Sequence, residues 1–118
     1  ASDVEELLKV RAVFALALEK LLAAANLAPE QLAALCLAGA LGRHARPDDL
    51  AGLGFVPGTA AGKIRAVGNT SLDGAALLLQ KPEKSAELAT LCARAQVLSL
   101  TDETDFERNY LRCMRFGA

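Results

Sequence analysis

Two short apolar runs that stop at glycines constrain this chain more than anything else in it. Ala34 to Ala38 runs into Gly39 and Gly42, and Ile64 to Val67 runs into Gly68-Asn69, followed by a helix-forming stretch that opens with Thr70 and Ser71. The second reads as strand, tight turn and helix, and the first repeats the beginning of that plan. Such junctions are where a backbone comes close to a phosphate, a nucleoside or another strand. Nucleotide contact is therefore the first question the sequence raises.

The layers around these strands must be built from Ala and Leu, because 118 residues contain no Trp, one Tyr and four Phe. Such a core suits helices packed on a sheet better than a β-sandwich, where aromatic and β-branched residues are enriched. The length fits one domain, residues 1–118, with one continuous core. Thirteen basic and fourteen acidic residues give a net charge of −1. No basic stripe is present to neutralise phosphates, which argues against a nucleic-acid surface. The longest apolar stretch, Val13 to Leu27, is interrupted by Glu19, Lys20 and Asn26 and falls short of a membrane span. Acidic residues stand near the start, at Asp3, Glu5 and Glu6, where a signal peptide would carry positive charge. Cys36, Cys92 and Cys113 are odd in number and far apart, so they form neither a disulfide framework nor a metal-ligand set. They read as structural thiols, Cys36 as a small buried hydrophobe, and unpaired thiols fit the cytoplasm.

Helical periodicity runs from Asp3 to Ala25 through Val4, Leu7, Leu8, Arg11, Ala15, Leu18 and Leu22. Its second half is apolar round most of its circumference and predicts burial on more than one side. Pro29 opens a short helix, Asp48 to Leu50 one helical turn, and the glycines from Gly52 to Gly62 an irregular connection. Helices follow at Thr70 to Gln80, with Thr70 and Ser71 as its caps, and from Pro82 to about Ala95, with Leu88, Leu91 and Cys92 facing inward. Gln96 to Leu100 predicts a third strand, and Thr101 or Asp102 caps a last helix containing Phe106, Tyr110, Leu111, Met114 and Phe116. The expected fold class is α/β, a small mixed sheet of about three or more strands packed with helices.

Three blocks, taken in order, carry a family resemblance. Ala38-Gly39-Ala40-Leu41-Gly42, Gly54-Phe55-Val56-Pro57, and Val67-Gly68-Asn69 with Gly74-Ala75 resemble the A-G-x-F-G, G-L-L-P-like and G-N-x-x-x-x-G-A blocks of the ferredoxin-like reductive activators of corrinoid-dependent methyltransferases. The leading helix and the end of the chain also look like that family, with Leu41 replacing the usual Phe. The resemblance implies one lobe of an ATP-binding domain of the actin, sugar-kinase and Hsp70 type, the carboxy-terminal lobe of a larger protein. In such a parent, ATP binding is coupled to reduction of a Co(II) corrinoid to Co(I), and a [2Fe–2S] cluster sits in a separate ferredoxin domain. The implied partners are the remaining lobe, the ferredoxin domain and the corrinoid protein. The alternative is a non-catalytic lobe that docks a corrinoid protein or partner subunit. Removal from a partner lobe would also expose apolar surface, so a homodimer of the chain alone is a further expectation.

The resemblance places Gly39 and Gly42 as nucleoside-side glycines, where a missing Cβ lets base or ribose rest on the backbone. The same residues equally serve a plain strand-to-loop turn. Gly68 and Asn69 are the second candidates. Asn is at home in a tight turn, and Gly74-Ala75 reads as a helix-packing device, so the structural reading is preferred there. His44, between Arg43 and Arg46, has no partner of metal or catalytic type and reads as a loop residue. The acidic run from Asp102 to Glu107 complements a helix dipole. No complete catalytic constellation is present, and the chain alone is expected to lack ATPase activity, because half a cleft lacks the phosphate and magnesium ligands.

Overall fold

The chain folds around one long helix that packs on two sides. In the computed structural model, which describes residues 2–39, 46–101 and 105–114, helix α1 spans Ser2–Ala24. It ends where the sequence pattern breaks. Asn26 adopts φ 55°, Asn26 N–H donates to Ala23 O at 3.1 Å, and Leu27 N–H donates to Leu22 O at 2.9 Å. This left-handed cap closes the last carbonyls of the helix.

Beyond a short 3-10 turn at Pro29–Gln31 lies strand β1, Leu35–Ala38. Helix α2, Pro47–Gly52, stops by the same device. Gly54 has φ +83°, and Phe55 N–H donates to Leu50 O at 2.9 Å. A 3-10 segment, Gly58–Lys63, leads into β2, Ile64–Gly68. Helices α3, Thr70–Gln80, and α4, Ser85–Arg94, are joined by a 3-10 turn at Pro82–Lys84, and α5, Phe106–Cys113, returns to α1.

The strands pair in parallel, Leu35 opposite Ile64, Cys36 opposite Arg65, Leu37 opposite Ala66, then Ala38 opposite Gly68 after an irregularity. Among the described residues the sheet has these two strands only. Gln96 to Leu100 is not a strand, which corrects the expectation of a third, and the sheet is parallel rather than mixed. The reason is visible in its anchors. Lys20 Nζ donates to the Ser99 carbonyl, and Leu100 packs against the α1–α5 contact. The segment is thereby held to α1, and Val97 is left 97% exposed.

Two apolar clusters flank α1. On one side Leu18 and Leu22 meet Leu37, Leu50, Phe55 and Val56, with Phe14 and Phe55 edge to face at 5.7 Å. On the other, Ala12 and Leu16 meet Cys113, with Phe106 and Tyr110 stacked beside them. The expectation that α1 is buried on more than one side is met by these clusters, although Val10, Val13 and Leu21 stay exposed. Alternation along β1 buries Leu37 and turns Cys36 outward. Cys36 is thus an exposed thiol, not the buried hydrophobe the sequence suggested, and Cys113 is the buried one. Leu88, Leu91 and Cys92 do not face a core: none is buried, and α3 and α4 contain no buried residue. The radius of gyration is 16.5 Å, against about 13.5 Å for a compact domain of this length.

Arg11 ties three elements together. It is 2% exposed, its Nη2 donates to the Cys113 carbonyl at 2.8 Å, and its guanidinium lies 3.5 Å from the position a Cβ on Gly54 would take. Nearby, Arg112 makes two bonds to Glu19, at 3.2 and 2.7 Å, on side chains about half exposed. Arg11→Ala is expected to cost about 2–4 kcal/mol in urea unfolding, from a lost charge-assisted bond and a cavity. Glu19→Gln is expected to cost less than about 1 kcal/mol, because that pair is solvated.

The thiols give a second test. Burial, with Glu19 nearby, raises the Cys113 thiol above its ordinary pKa. A folded-state pKa above the unfolded one gives stability that is full below the ordinary thiol range and lost as pH rises through the folded pKa. Cys36 and Cys92 should react with a maleimide at native pH, and Cys113 only on unfolding or in alkaline solution. Equal reaction of all three in the native state would contradict this packing.

Candidate functional site

Parallel pairing brings the two glycine junctions together. Ala38 is opposite Gly68, so Gly39 and Gly68 stand side by side where β1 and β2 end. Both are left-handed, at φ +77° and +75°, and a Cβ added to either would meet no described heavy atom within 4 Å. Two adjacent turns at the carboxyl ends of parallel strands, uncovered among the described residues, occupy the position where open α/β sheets take ligands. Gly42 lies outside the described residues, as do Arg43 and His44.

Asn69 has a definite structural task. Its Oδ1 accepts from Leu72 N–H at 3.1 Å, which makes it the N-cap of α3. The cap is therefore Asn69 rather than Thr70 or Ser71, whose hydroxyls are left at the mouth of a groove between α3 and α4. That groove has a volume of about 560 Å³ and is walled by Leu77, Leu78, Leu88 and Leu91 over a floor of Gly74 and Ala75. Lys84 and Glu87 pair at 3.1 Å along its rim. The size falls within the usual range for small-molecule sites, about 300–1,000 Å³.

Of the four residues picked from sequence, Gly39, Gly68 and Asn69 are thus neighbours. The groove leucines were not read as a site, because spacing marks a helix face as apolar without saying whether another element covers it. Among the described residues no group of three His, Cys, Asp or Glu side chains could hold a metal ion. No described helix is long and apolar enough to cross a membrane.

Comparison with known families gives a clear result. Residues 1–117 match the model of the C-terminal domain of RACo, the ASKHA domain. The chain belongs to this family. No curated protein and no solved structure was found to match it. Membership agrees with the resemblance carried by the Gly39, Gly54 and Gly68 blocks, and the mostly helical α/β architecture with its parallel strands is that of an ASKHA-family domain here.

The backbone at the paired glycines predicts a measurable cost. Gly39→Ala and Gly68→Ala each place a Cβ at positive φ and should lower stability by about 1–2 kcal/mol, without a steric clash. Asn69→Ala should cost about 1 kcal/mol and Asn69→Asp close to nothing, as read by thermal unfolding.

Proposed function

We propose that this chain is a nucleotide-binding lobe of an ATP-dependent, iron–sulfur-containing activator that reduces corrinoid proteins from Co(II) to Co(I). The observation that carries the reading is the pair of left-handed glycines, uncovered among the described residues, at the ends of adjacent parallel strands. Family membership supplies the ATPase-type context. In this reading Gly39 and Gly68 let the nucleoside approach the backbone, Asn69 fixes the turn that follows, and Gly42, three residues after Gly39 in sequence, is proposed for the same role. ATP supplies the free energy for the uphill electron transfer when both lobes enclose it. The chain's own part is to bind and orient the nucleoside side.

The [2Fe–2S] cluster of the proposed parent does not fit this chain. Cys113, the last residue of α5, is buried against α1, while Cys36 and Cys92 sit on separate elements. The cluster is assigned to a ferredoxin domain elsewhere in the parent protein, in a cytoplasmic setting. The remaining lobe, that domain and the corrinoid protein are the proposed partners. The open face of the sheet, with Cys36 and Arg65 exposed, is the surface on which further parts of the domain would pack, since parallel sheets are normally covered on both faces.

A second reading, a docking lobe without nucleotide handling, is favoured by helices α3 and α4, which contain no buried residue. Titration of a fluorescent ATP analogue into the full-length protein separates the two. Gly39→Val and Gly68→Val are expected to weaken binding at least about tenfold while helix content is retained. Unchanged affinity in both variants would sink the nucleotide reading and leave the docking one. The 118-residue chain alone is expected to show no ATP turnover, and measurable hydrolysis by it would refute that.

A further inference from the structure

Helix α5 is short and lightly buried. Of its residues, Phe106–Cys113, Cys113 alone is buried. Phe106, Tyr110 and the following Met114 are partly buried against Ala12 and Leu16 of α1, while Leu111 is 58% exposed. Residues 95–99, which lead toward α5, are exposed and have no regular secondary structure. Sparse burial of this kind marks segments that open below the free energy of global unfolding. Eight residues are also too few to stay helical alone, since isolated helices shorter than about 12–15 residues are marginal in water. Release of α5 from α1 and melting of α5 are therefore one event, which gives the element two discrete states.

What release removes is an acceptor of Arg11. Arg11 Nη2 donates to the Cys113 carbonyl at 2.8 Å, and that carbonyl is fixed in place only while α5 is wound and docked. The same guanidinium lies against the Gly54 turn. Gly54 N–H donates to Ala51 O at 3.1 Å and Phe55 N–H to Leu50 O at 2.9 Å, and the turn carries Phe55 and Val56 into the cluster that holds Leu37 of β1. We propose that α5 is a releasable latch, which undocks as a unit while the rest of the chain stays folded, and that Arg11 passes the release on to the Gly54 turn. Docked, α5 holds the guanidinium against the turn. Released, it lets the guanidinium swing toward solvent, and the bond from Phe55 to Leu50 opens more often. The opening that exposes Cys113 is then that of α5 and not of the whole chain. Coupling between two places needs an element with two states that bears on both, and Arg11 touches each end.

The proposal is independent of nucleotide binding and is tested on the 118-residue chain. Maleimide labelling of Cys113 and residue-resolved amide exchange are followed over a series of low urea concentrations. In the wild-type chain, Cys113 labelling and Phe55 exchange are expected to share one shallow urea dependence, less than about half that of the Leu18 amide in α1. Leu111→Pro breaks α5 at an exposed position and should speed Cys113 labelling and Phe55 exchange alike, each at least about tenfold. Cys36 labelling and the cooperative thermal transition should persist in that variant. In an Arg11→Met background, which keeps the length of the side chain and removes the guanidinium, Leu111→Pro should still speed Cys113 labelling. Phe55 exchange should then change less than about threefold. Cys113 labelling as steep in urea as Leu18 exchange means that α5 leaves only with the whole fold, and overturns the proposal. So does a Phe55 amide that fails to follow Cys113 in the wild type or in Leu111→Pro, or one that still follows it after Arg11→Met.

Discussion

The buried Arg11 guanidinium is the interaction on which the arrangement of this chain depends. An arginine with 2% of its surface exposed is costly to desolvate and is tolerated only where fixed acceptors surround it. The Cys113 carbonyl, at the end of α5, is one such acceptor. Carbonyls at a helix end lack intrahelical partners, and the dipole makes them more negative. The same guanidinium lies on the left-handed Gly54 turn, which delivers Phe55 and Val56 into the cluster on the far side of α1. One side chain thereby relates the two clusters. A Cβ at Gly54 would also be strained by its φ of +83°.

From this scaffold the strands inherit their position. Leu35, Leu37 and Ile64 pack toward Leu18 and Leu22 of α1, and that contact fixes which face of the sheet is covered. Among the described residues the opposite face and the helices α3 and α4 receive no such support. The glycine junctions therefore sit at the boundary between a packed half and an unpacked one. That boundary is a natural place for a ligand-binding crevice, because the backbone is held on one side and accessible on the other.

Much of this was legible in the residues. The ends of α1 and α2 were marked by Asn26 and by the Gly52–Gly54 region, and the two strands by their apolar runs into Gly39 and Gly68. Local chemistry decides such features, so a local reading finds them. The misses share a different cause. Gln96 to Leu100 has strand propensity, but a distant lysine, Lys20, and the distant Leu16 cluster hold it elsewhere. Cys36 lies in an apolar run, yet the period of two turns it to the open face of the sheet. Leu88 and Leu91 have an inner-face pattern with nothing opposite them. Propensity and periodicity report which residues favour burial, while the partner that buries them comes from elsewhere in the chain or from another molecule.

The α1–α5 contact joins residues 102 positions apart at Arg11 and Cys113. During synthesis α1 is made before the other described elements, and the helix that covers Ala12 and Leu16 is the last of them to emerge. At about 5–20 residues per second, the apolar face of α1 waits several seconds for its cover. Until then its most stable neighbour is the Leu37, Leu50 and Phe55 side, which is complete after little more than half of the chain. Order of assembly is thus written into the two faces of one helix: an early contact that shapes the sheet, and a late one that locks it through Arg11.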